Sequence, residues 1–276
     1  MKVIIPMAGF GNRFVKAGYR DPKPLITVNG KRILEYICGM FNKEDELIFI
    51  CNHHHLTTTS MREIIINIRS DATIVGVPPH KKGPVYTMTG MESYIDDNEE
   101  VIVCYCDNPY LWNYAEFKKW IKESESDGCI LSHVGFHPHR LSSTFMAYMK
   151  ESDLAVSEIK EKEPYTEDPM QEHASTGTYY FKKGFYIKKY FQQLMDLDIN
   201  YNGEYYVTLV YNLLIQDNLK VTCYPTDFVT VFGTPEEVEN FEAWQTILRG
   251  LQVRSEEDLI RTYRYWKEYN EQGDTQ

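Results

Sequence analysis

No apolar run in the 276-residue sequence approaches the roughly 18 to 20 residues that span a bilayer, and residues 1–5 meet Pro6 and Gly9 too soon for a secretory h-region. A cytoplasmic protein with no membrane partner is expected. The six cysteines, Cys38, Cys51, Cys104, Cys106, Cys129 and Cys223, lack the paired spacing of a zinc site or an extracellular disulfide framework, so they read as buried thiols. Basic residues are scarce. The 29 Lys and Arg against 40 Asp and Glu leave a formal net charge of −11, which argues against a nucleic-acid partner. Internal repeats, low-complexity tracts and linkers are missing too, and a composition 43% hydrophobic and 25% charged excludes disorder, collagen and coiled coil.

What is present is unevenly placed. Residues 1–34 hold seven basic residues against one acid, Asp21, a net of +6 that leaves −17 to the other 242. A basic, glycine-bearing segment on an acidic chain points to a local anion site, with a solvated basic face as the plain alternative. The pattern alternates. Short apolar runs over 2–6, 46–51, 72–77, 101–106 and 129–134 read as strands, and helical spacing over 33–41, 61–68, 84–95 and 113–125 reads as helices between them. The run 101–106 is apolar on both faces, as in a central parallel strand. This alternation predicts an α/β fold: a Rossmann-like, doubly wound, mostly parallel sheet with helices on both faces.

After about residue 135 the rhythm changes. A hairpin of 144–150 with 154–160, a polar loop over 161–172, a strand over 174–181, helices over 185–195 and 204–216, and strands over 219–224 and 228–232 form an expected β-rich insertion. The remainder reads as helical, anchored by Leu248, Leu251 and Val253. We expect one domain over 1–245, with a nucleotide-binding half 1–135 and an acceptor-binding half 136–245, followed by a helical extension 246–276. Open α/β sheets bind ligands beyond the carboxyl ends of their strands, where Gly9 and Asp107 both fall.

The segment Gly9-Phe10-Gly11-Asn12-Arg13-Phe14 fails as a dinucleotide fingerprint, because Phe14 stands at the third glycine. As a turn whose amides approach a triphosphate, it needs only the two glycines and a cation. With Asp21-Pro22-Lys23-Pro24 it resembles the G-x-G-x-R…K-P signature of the sugar-phosphate nucleotidyltransferases. The likeness continues at Cys106-Asp107, Glu161-Lys162, residues 174–181, Gly203-Glu204-Tyr205-Tyr206 and Gly233-Thr234-Pro235-Glu236, and extends over about residues 1–245. Its nearest branch is that of bacterial capsule and lipopolysaccharide biosynthesis.

The resemblance implies an enzyme that transfers a nucleoside monophosphate from a nucleoside triphosphate to a phosphorylated small molecule, with Mg²⁺ as cofactor and pyrophosphate as leaving group. Arg13 would hold the pyrophosphate and Lys23 the shifting charge. Met7, Ala8, Gly9, Gly11 and Asn12 would line the nucleotide, and the loop from Pro78 to Gly83 would meet the base. Asp107 would bind the metal, against the plain reading of a strand-end cap. Relatives carry a second acid where Val231 stands here, and Asp227 and Glu204 are nearby substitutes. Glu161, Lys162, Gly177 and Glu204 are implied at the acceptor, with Gly177 marking a close backbone approach or a bulge.

Other features read as structural. Consecutive His53, His54 and His55 diverge and lack metal-ligand spacing, and His137 and His139 read as loop residues. Packing accounts for most tyrosines, although Tyr179, Tyr180, Tyr205 and Tyr206 could line an acceptor pocket. A cytidylyltransferase of a phosphorylated alcohol or amino acid is the alternative substrate class, and a non-catalytic nucleotide-binding protein is the alternative class of function. A glycosyltransferase would present Asp-x-Asp where Asp107-Asn108-Pro109 stands. A homo-oligomer is compatible with all of these readings.

Overall fold

The computed structural model describes residues 1–137, 139 and 145–250, with the side chains of 247–250 excepted. The expected anchors Leu248, Leu251 and Val253, the extension beyond 250 and the first residue of the expected hairpin, Thr144, lie outside this description.

In chain order the elements are β1 (Lys2–Met7), α1 (Asn12–Lys16), β2 (Thr27–Val28), β3 (Lys31–Arg32), α2 (Ile33–Cys38), β4 (Glu46–Asn52), α3 (His53–Thr58), α4 (Met61–Ile68) and β5 (Thr73–Val77). There follow α5 (Gly83–Thr87), β6 (Val101–Cys104), β7 (Tyr110–Leu111), α6 (Tyr114–Glu123), β8 (Gly128–His133), β9 (Ala147–Ser152), β10 (Ala155–Glu161) and β11 (Ala174–Phe181). The described chain ends with α7 (Gly184–Asp196), α8 (Val207–Gln216), β12 (Val221–Pro225), β13 (Asp227–Val229) and α9 (Pro235–Gly250).

Alternation of side chains along the strands builds two cores. In β1, Ile4 faces one cluster while Val3, Ile5 and Met7 face the other, and β6 repeats this with Val101 and Val103 opposite Ile102 and Cys104. Apolar residues of α7 and α8 cover the first face, and those of α2, α4 and α6 cover the second. The doubly wound α/β architecture is therefore as expected. The sheet order is β5-β4-β1-β6-β11-β8-β12-β10-β9. Its parallel character holds over β5-β4-β1-β6 and for β8 with β12, whereas β11 runs antiparallel to both β6 and β8, and β10 antiparallel to β12 and β9. The sheet is mixed, rather than mostly parallel, because β11 is inserted between two co-directional strands.

Several local expectations shift. The β9–β10 hairpin turns at Asp153-Leu154, both at positive φ, a two-residue geometry that suits the right-handed twist of paired strands. The helix expected over 84–95 is two pieces, α5 and a 3₁₀ turn at Glu92–Tyr94, separated by Gly90 at φ 84°. The helix expected from 204 starts at Val207, since Tyr201 and Glu204 pair across an Asn202-Gly203 turn. The strand expected over 228–232 is the short β13, which pairs with β7 outside the main sheet. His53–Thr58 is helical, started by the Asn52 side chain, which accepts from the His54 amide.

A third cluster joins an early and a late segment of the described chain. Phe14 of α1 packs with Ile26, Val28, Ile33, Phe232 and Val238, so the residue that broke the glycine fingerprint anchors the first loop against α9. All six cysteines are free and buried, as expected. Among the described residues no helix is long and apolar enough to cross a membrane.

Tyr211 ties α8 to the middle of the sheet. Its ring is fully buried, and its hydroxyl donates to the Tyr180 carbonyl at 2.8 Å and lies 3.3 Å from that of Cys129. Tyr211→Phe should keep the packing and lose the bond, lowering unfolding free energy by about 1 to 2 kcal/mol in a denaturant titration.

Candidate functional site

β1 and β6 deliver their carboxyl ends side by side, and a cleft of about 750 Å³ opens beyond them. Met7, Ala8, Gly9, Gly11, Asn12 and Arg13 lie along its floor and rim. Gly11 holds φ 64° at the start of α1, a conformation that side chains resist, and its amide neighbours continue into the helix through bonds from Phe14 and Val15 to its carbonyl. At Gly9 a Cβ would meet nothing within 4 Å, so the glycine leaves open space in the cleft. Arg13 is exposed and has no ion-pair partner among the described residues.

Lys23 enters from the 3₁₀ turn Lys23–Leu25, where Pro22 and Pro24 fix the backbone on either side. Its Nζ donates to Asp107 Oδ2 at 2.7 Å, across 84 residues of chain. Burial opposes the ammonium most strongly, but the Asp107 carboxylate, with Cys106 and Glu237 adding to it, outweighs that cost and holds Lys23 above the ordinary lysine range. Asp107 follows β6, and its carbonyl accepts from the Phe232 amide at 2.8 Å. That bond draws the segment 231–233 against the strand end, so Val231, Gly233 and Glu237 also line the cleft. Glu237 was not anticipated from the sequence. Its Oε2 is buried with no hydrogen-bond partner among the described residues, and burial raises its pKa, reinforced by Asp107 and opposed by the Thr234 hydroxyl and the Thr234 and Gly233 backbone amides.

At the other end of the cleft stand Glu161, Lys162, Gly177 and Glu204. Glu161 closes β10 almost out of water and accepts from Thr208 Oγ1 at 2.6 Å. Lys162 has φ 60°, an unusual value for a lysine, and its amide donates to the Met146 carbonyl. Its Nζ lies 4.5 Å from the Tyr206 ring centroid and 5.0 Å from that of Tyr201, donating to the Tyr206 hydroxyl at 2.8 Å. That hydroxyl donates to Glu204 Oε2 at 3.0 Å. Gly177, at φ 81°, sits in the register break between β11 and β8, so it is both a bulge and a wall of the cleft.

Two expected residues stand apart. Asp227 is exposed on β13 and outside the cleft, because β13 pairs with β7 instead of continuing the segment toward Asp107. Pro78 is exposed and also outside it, whereas His80, Lys81, Gly83, Pro84 and Thr87 line the wall. Glu204 does reach the cleft, but beside Lys162 rather than beside Asp107. Gly83 has φ 85°, and a Cβ there would come within 2.7 Å of the Tyr205 backbone. Mutual bonds between Tyr205 N and Lys82 O and between Val85 N and Tyr205 O hold the two walls together at that point. His80 accepts from the Lys82 amide at Nδ1, which leaves Nε2 to face the Thr87 hydroxyl at 3.1 Å. His55 reaches the cleft from α3 with its Nδ1 buried and without a hydrogen-bond partner among the described residues. No signal in the sequence separates His55 and His80 from the other histidines, since the separation depends on which face of α3 and of the loop turns inward.

Of the seven basic residues in 1–34, only Arg13 and Lys23 line the cleft; Lys2, at the opposite end of β1, pairs with Glu99 and Glu46. The lining nevertheless holds four cations, Arg13, Lys23, Lys81 and Lys162, against four acids, Asp107, Glu161, Glu204 and Glu237. This balance differs from the −11 of the whole chain. Among the described residues no group of three or more His, Cys, Asp or Glu side chains is assembled to hold a metal. A Mg²⁺ site needs no such group, because one or two carboxylates can share the ion with phosphates and waters. Asp107 and the orphaned Glu237 oxygen fit that donor set.

Burial pushes the Glu161 carboxyl up to about 7, with the Thr208 hydroxyl and Lys162 opposing the rise. A carboxyl raised on folding stabilises below its unfolded pKa and loses that contribution as pH climbs through the folded value. Relative to Glu161→Gln, the protein should lose on the order of 3 kcal/mol of unfolding free energy between about pH 4.5 and pH 7 and little beyond it. Paired denaturant titrations at several pH values measure this difference.

The fold has known counterparts. Residues 3–161 match the MobA-like NTP transferase domain. The chain is 23% identical over 272 residues to the bifunctional protein GlmU of Hydrogenovibrio crunogenus, covering 94% of this chain and 54% of that protein, so it spans about half the length of this curated relative. Among solved structures, a nucleoside-diphosphate-sugar pyrophosphorylase from Vibrio cholerae RC9 superposes with a TM-score of 0.70 at 23% identity, over 87% of this chain and 99% of the other. A UDP-glucose pyrophosphorylase complexed with UDP-glucose gives 0.67 at 16% identity, over 89% and 98%. The domain match covers more than half of the chain: it belongs to the MobA-like NTP transferase family and is a nucleotidyltransferase.

Proposed function

We propose that the enzyme joins a nucleoside triphosphate to a sugar phosphate, releasing pyrophosphate and forming a nucleoside-diphosphate sugar, a precursor suited to a bacterial surface glycan. The observation that carries this reading is one cleft with a cation at each end. Lys23 and Arg13 stand beside the glycine turn, and Lys162 stands among carboxylates and tyrosine hydroxyls. A sugar phosphate presents one anionic group and several hydroxyls. Lys162 suits the first, and Glu161, Glu204 and Tyr206 suit the second.

An oxygen of the acceptor phosphate forms the new bond to the α-phosphorus, while the bond from that phosphorus to the β-phosphate oxygen breaks and its electron pair leaves with pyrophosphate. The nucleophile is already ionised, so no side chain need remove a proton. The obstacle is repulsion between two polyanions, and positioning with charge stabilisation is the available remedy. The Gly9–Gly11 turn brings backbone close to the triphosphate, Arg13 offers a free guanidinium to the leaving group, and Lys23 stands where charge develops. Asp107 holds Lys23 extended until phosphates compete for it. Asp107 would hold a Mg²⁺ ion, and the ion would supply further neutralisation of the phosphate charge. Gly83 and Tyr205 link the wall of the base to that of the acceptor.

Incubation with Mg²⁺, each nucleoside triphosphate and a panel of sugar and alcohol phosphates, with pyrophosphate as readout, tests the reaction. Release only with alcohol phosphates would replace the sugar phosphate, and triphosphate binding without any release would replace catalysis by binding. Lys23→Ala should reduce turnover at least about a hundredfold, on the order of 3 kcal/mol of transition-state stabilisation, with the fold checked by thermal unfolding. Full activity in that variant would remove Lys23 from the chemistry.

A further inference from the structure

We infer that Glu237, the third residue of α9, is the second carboxylate that shares a divalent cation with Asp107. The inference rests on the nucleotidyltransferase reading and supplies what the sequence left open when Val231 replaced the expected acid.

Glu237 Oε2 is buried without a hydrogen-bond donor among the described residues, and a buried carboxylate oxygen lacking a partner is costly. Asp107 is the acid whose charge it feels. Both acids converge on the space above Gly233, where a Cβ would lie 3.1 Å from Glu237 Oε2 and 3.6 Å from Asp107 Oδ2. Glycine at 233 therefore keeps open a gap lined by two carboxylate oxygens. Lys23 is the one cation within ion-pair distance of either acid among the described residues, and it binds Asp107.

The positions of both acids are built in. The Asp107 carbonyl receives the Phe232 amide, and Phe232 and Val238 are buried in the cluster around Phe14. Thr234 Oγ1 accepts from the Glu237 amide at 3.2 Å, which sets the first turn of α9. The other side chains of this turn do not compete for the gap, since Glu236 and Glu239 are exposed and outside the cleft. A purely capping role for Glu237 is the rival explanation. It accounts for the pull of the Gly233 and Thr234 backbone amides on the carboxyl, but not for an Oε2 left without a donor among the described residues at the gap that Asp107 also lines. Val231 remains buried in the cleft wall, so the position that would carry the expected acid is apolar, and the charge comes instead from the first turn of α9.

Manganese binding measured by electron paramagnetic resonance tests this without turnover. The full chain is titrated with Mn²⁺ alone, and the signal of the free ion reports the bound fraction. Wild type should bind one ion in the cleft. Glu237→Gln, which preserves size and capping, should weaken binding about tenfold or more, a scale that even outer-shell changes reach at metal sites. Asp107→Asn should do the same, and Glu239→Gln should bind as wild type does. If Glu237→Gln lowers only the unfolding temperature and leaves Mn²⁺ affinity at the wild-type value, Glu237 is a cap and the inference fails. Should that variant not fold, Glu237→Asp keeps the charge while withdrawing the oxygen by one methylene; wild-type affinity there overturns the inference equally. Wild type that releases pyrophosphate while Glu237→Gln binds Mn²⁺ normally sinks the ligand assignment alone. No release with any substrate pair sinks the underlying reaction, whatever the Mn²⁺ result.

Discussion

The Lys23–Asp107 ion pair is the contact on which the cleft depends. It joins a turn near the start of the chain to the end of the central strand β6, 84 residues later, and it forms where water is partly excluded. Such a pair is held by its surroundings rather than by its own attraction, because desolvation offsets much of the Coulomb energy. Here the surroundings are two prolines beside Lys23 and the backbone bond from Phe232 to the Asp107 carbonyl. The pair leaves Lys23 and Asp107 side by side at the cleft, the lysine engaged by the carboxylate.

The cluster of Phe14, Ile26, Val28, Ile33, Phe232 and Val238 gives that pair its rigidity. It lies outside the two large cores of the sheet and fastens the glycine turn to the last described helix. Phe14 has a structural reason to stand where a dinucleotide fingerprint places glycine: its ring anchors the short helix that carries Arg13. A nearby junction holds the opposite wall, where Gly83 meets the Tyr205 backbone at a distance no side chain would allow. One wall is therefore fixed by side-chain packing and the other by close backbone approach, with charged side chains projecting into the space between them.

Much of the fold was legible because its signals are local. Apolar runs that alternate between two buried faces, such as β1 and β6, identify strands covered on both sides, and the glycines and Asp107 fall at their carboxyl ends. The antiparallel insertion of β11 was not legible, since strand order depends on contacts between distant segments. The same limit applied within the cleft. Glu204 and Asp227 were plausible neighbours of Asp107 by position in the chain, yet one sits beside Lys162 and the other is exposed on β13. Glu237 looked like an ordinary acid in a charged helix, and only the approach of α9 to β6 brings it to the gap at Gly233.

The sequence by itself determined the alternation of strands and helices, the glycine turn with its arginine and lysine, and a family signature ordered along the chain. Spacing and residue type encode these directly, because each depends on near neighbours or on the run of a single element. Tertiary structure alone decided that two of seven early basic residues reach the cleft, that His80 rather than Pro78 faces it, and which acid stands opposite Asp107. Those outcomes depend on the face an element turns inward and on packing between residues more than a hundred positions apart, as between Phe14 and Phe232.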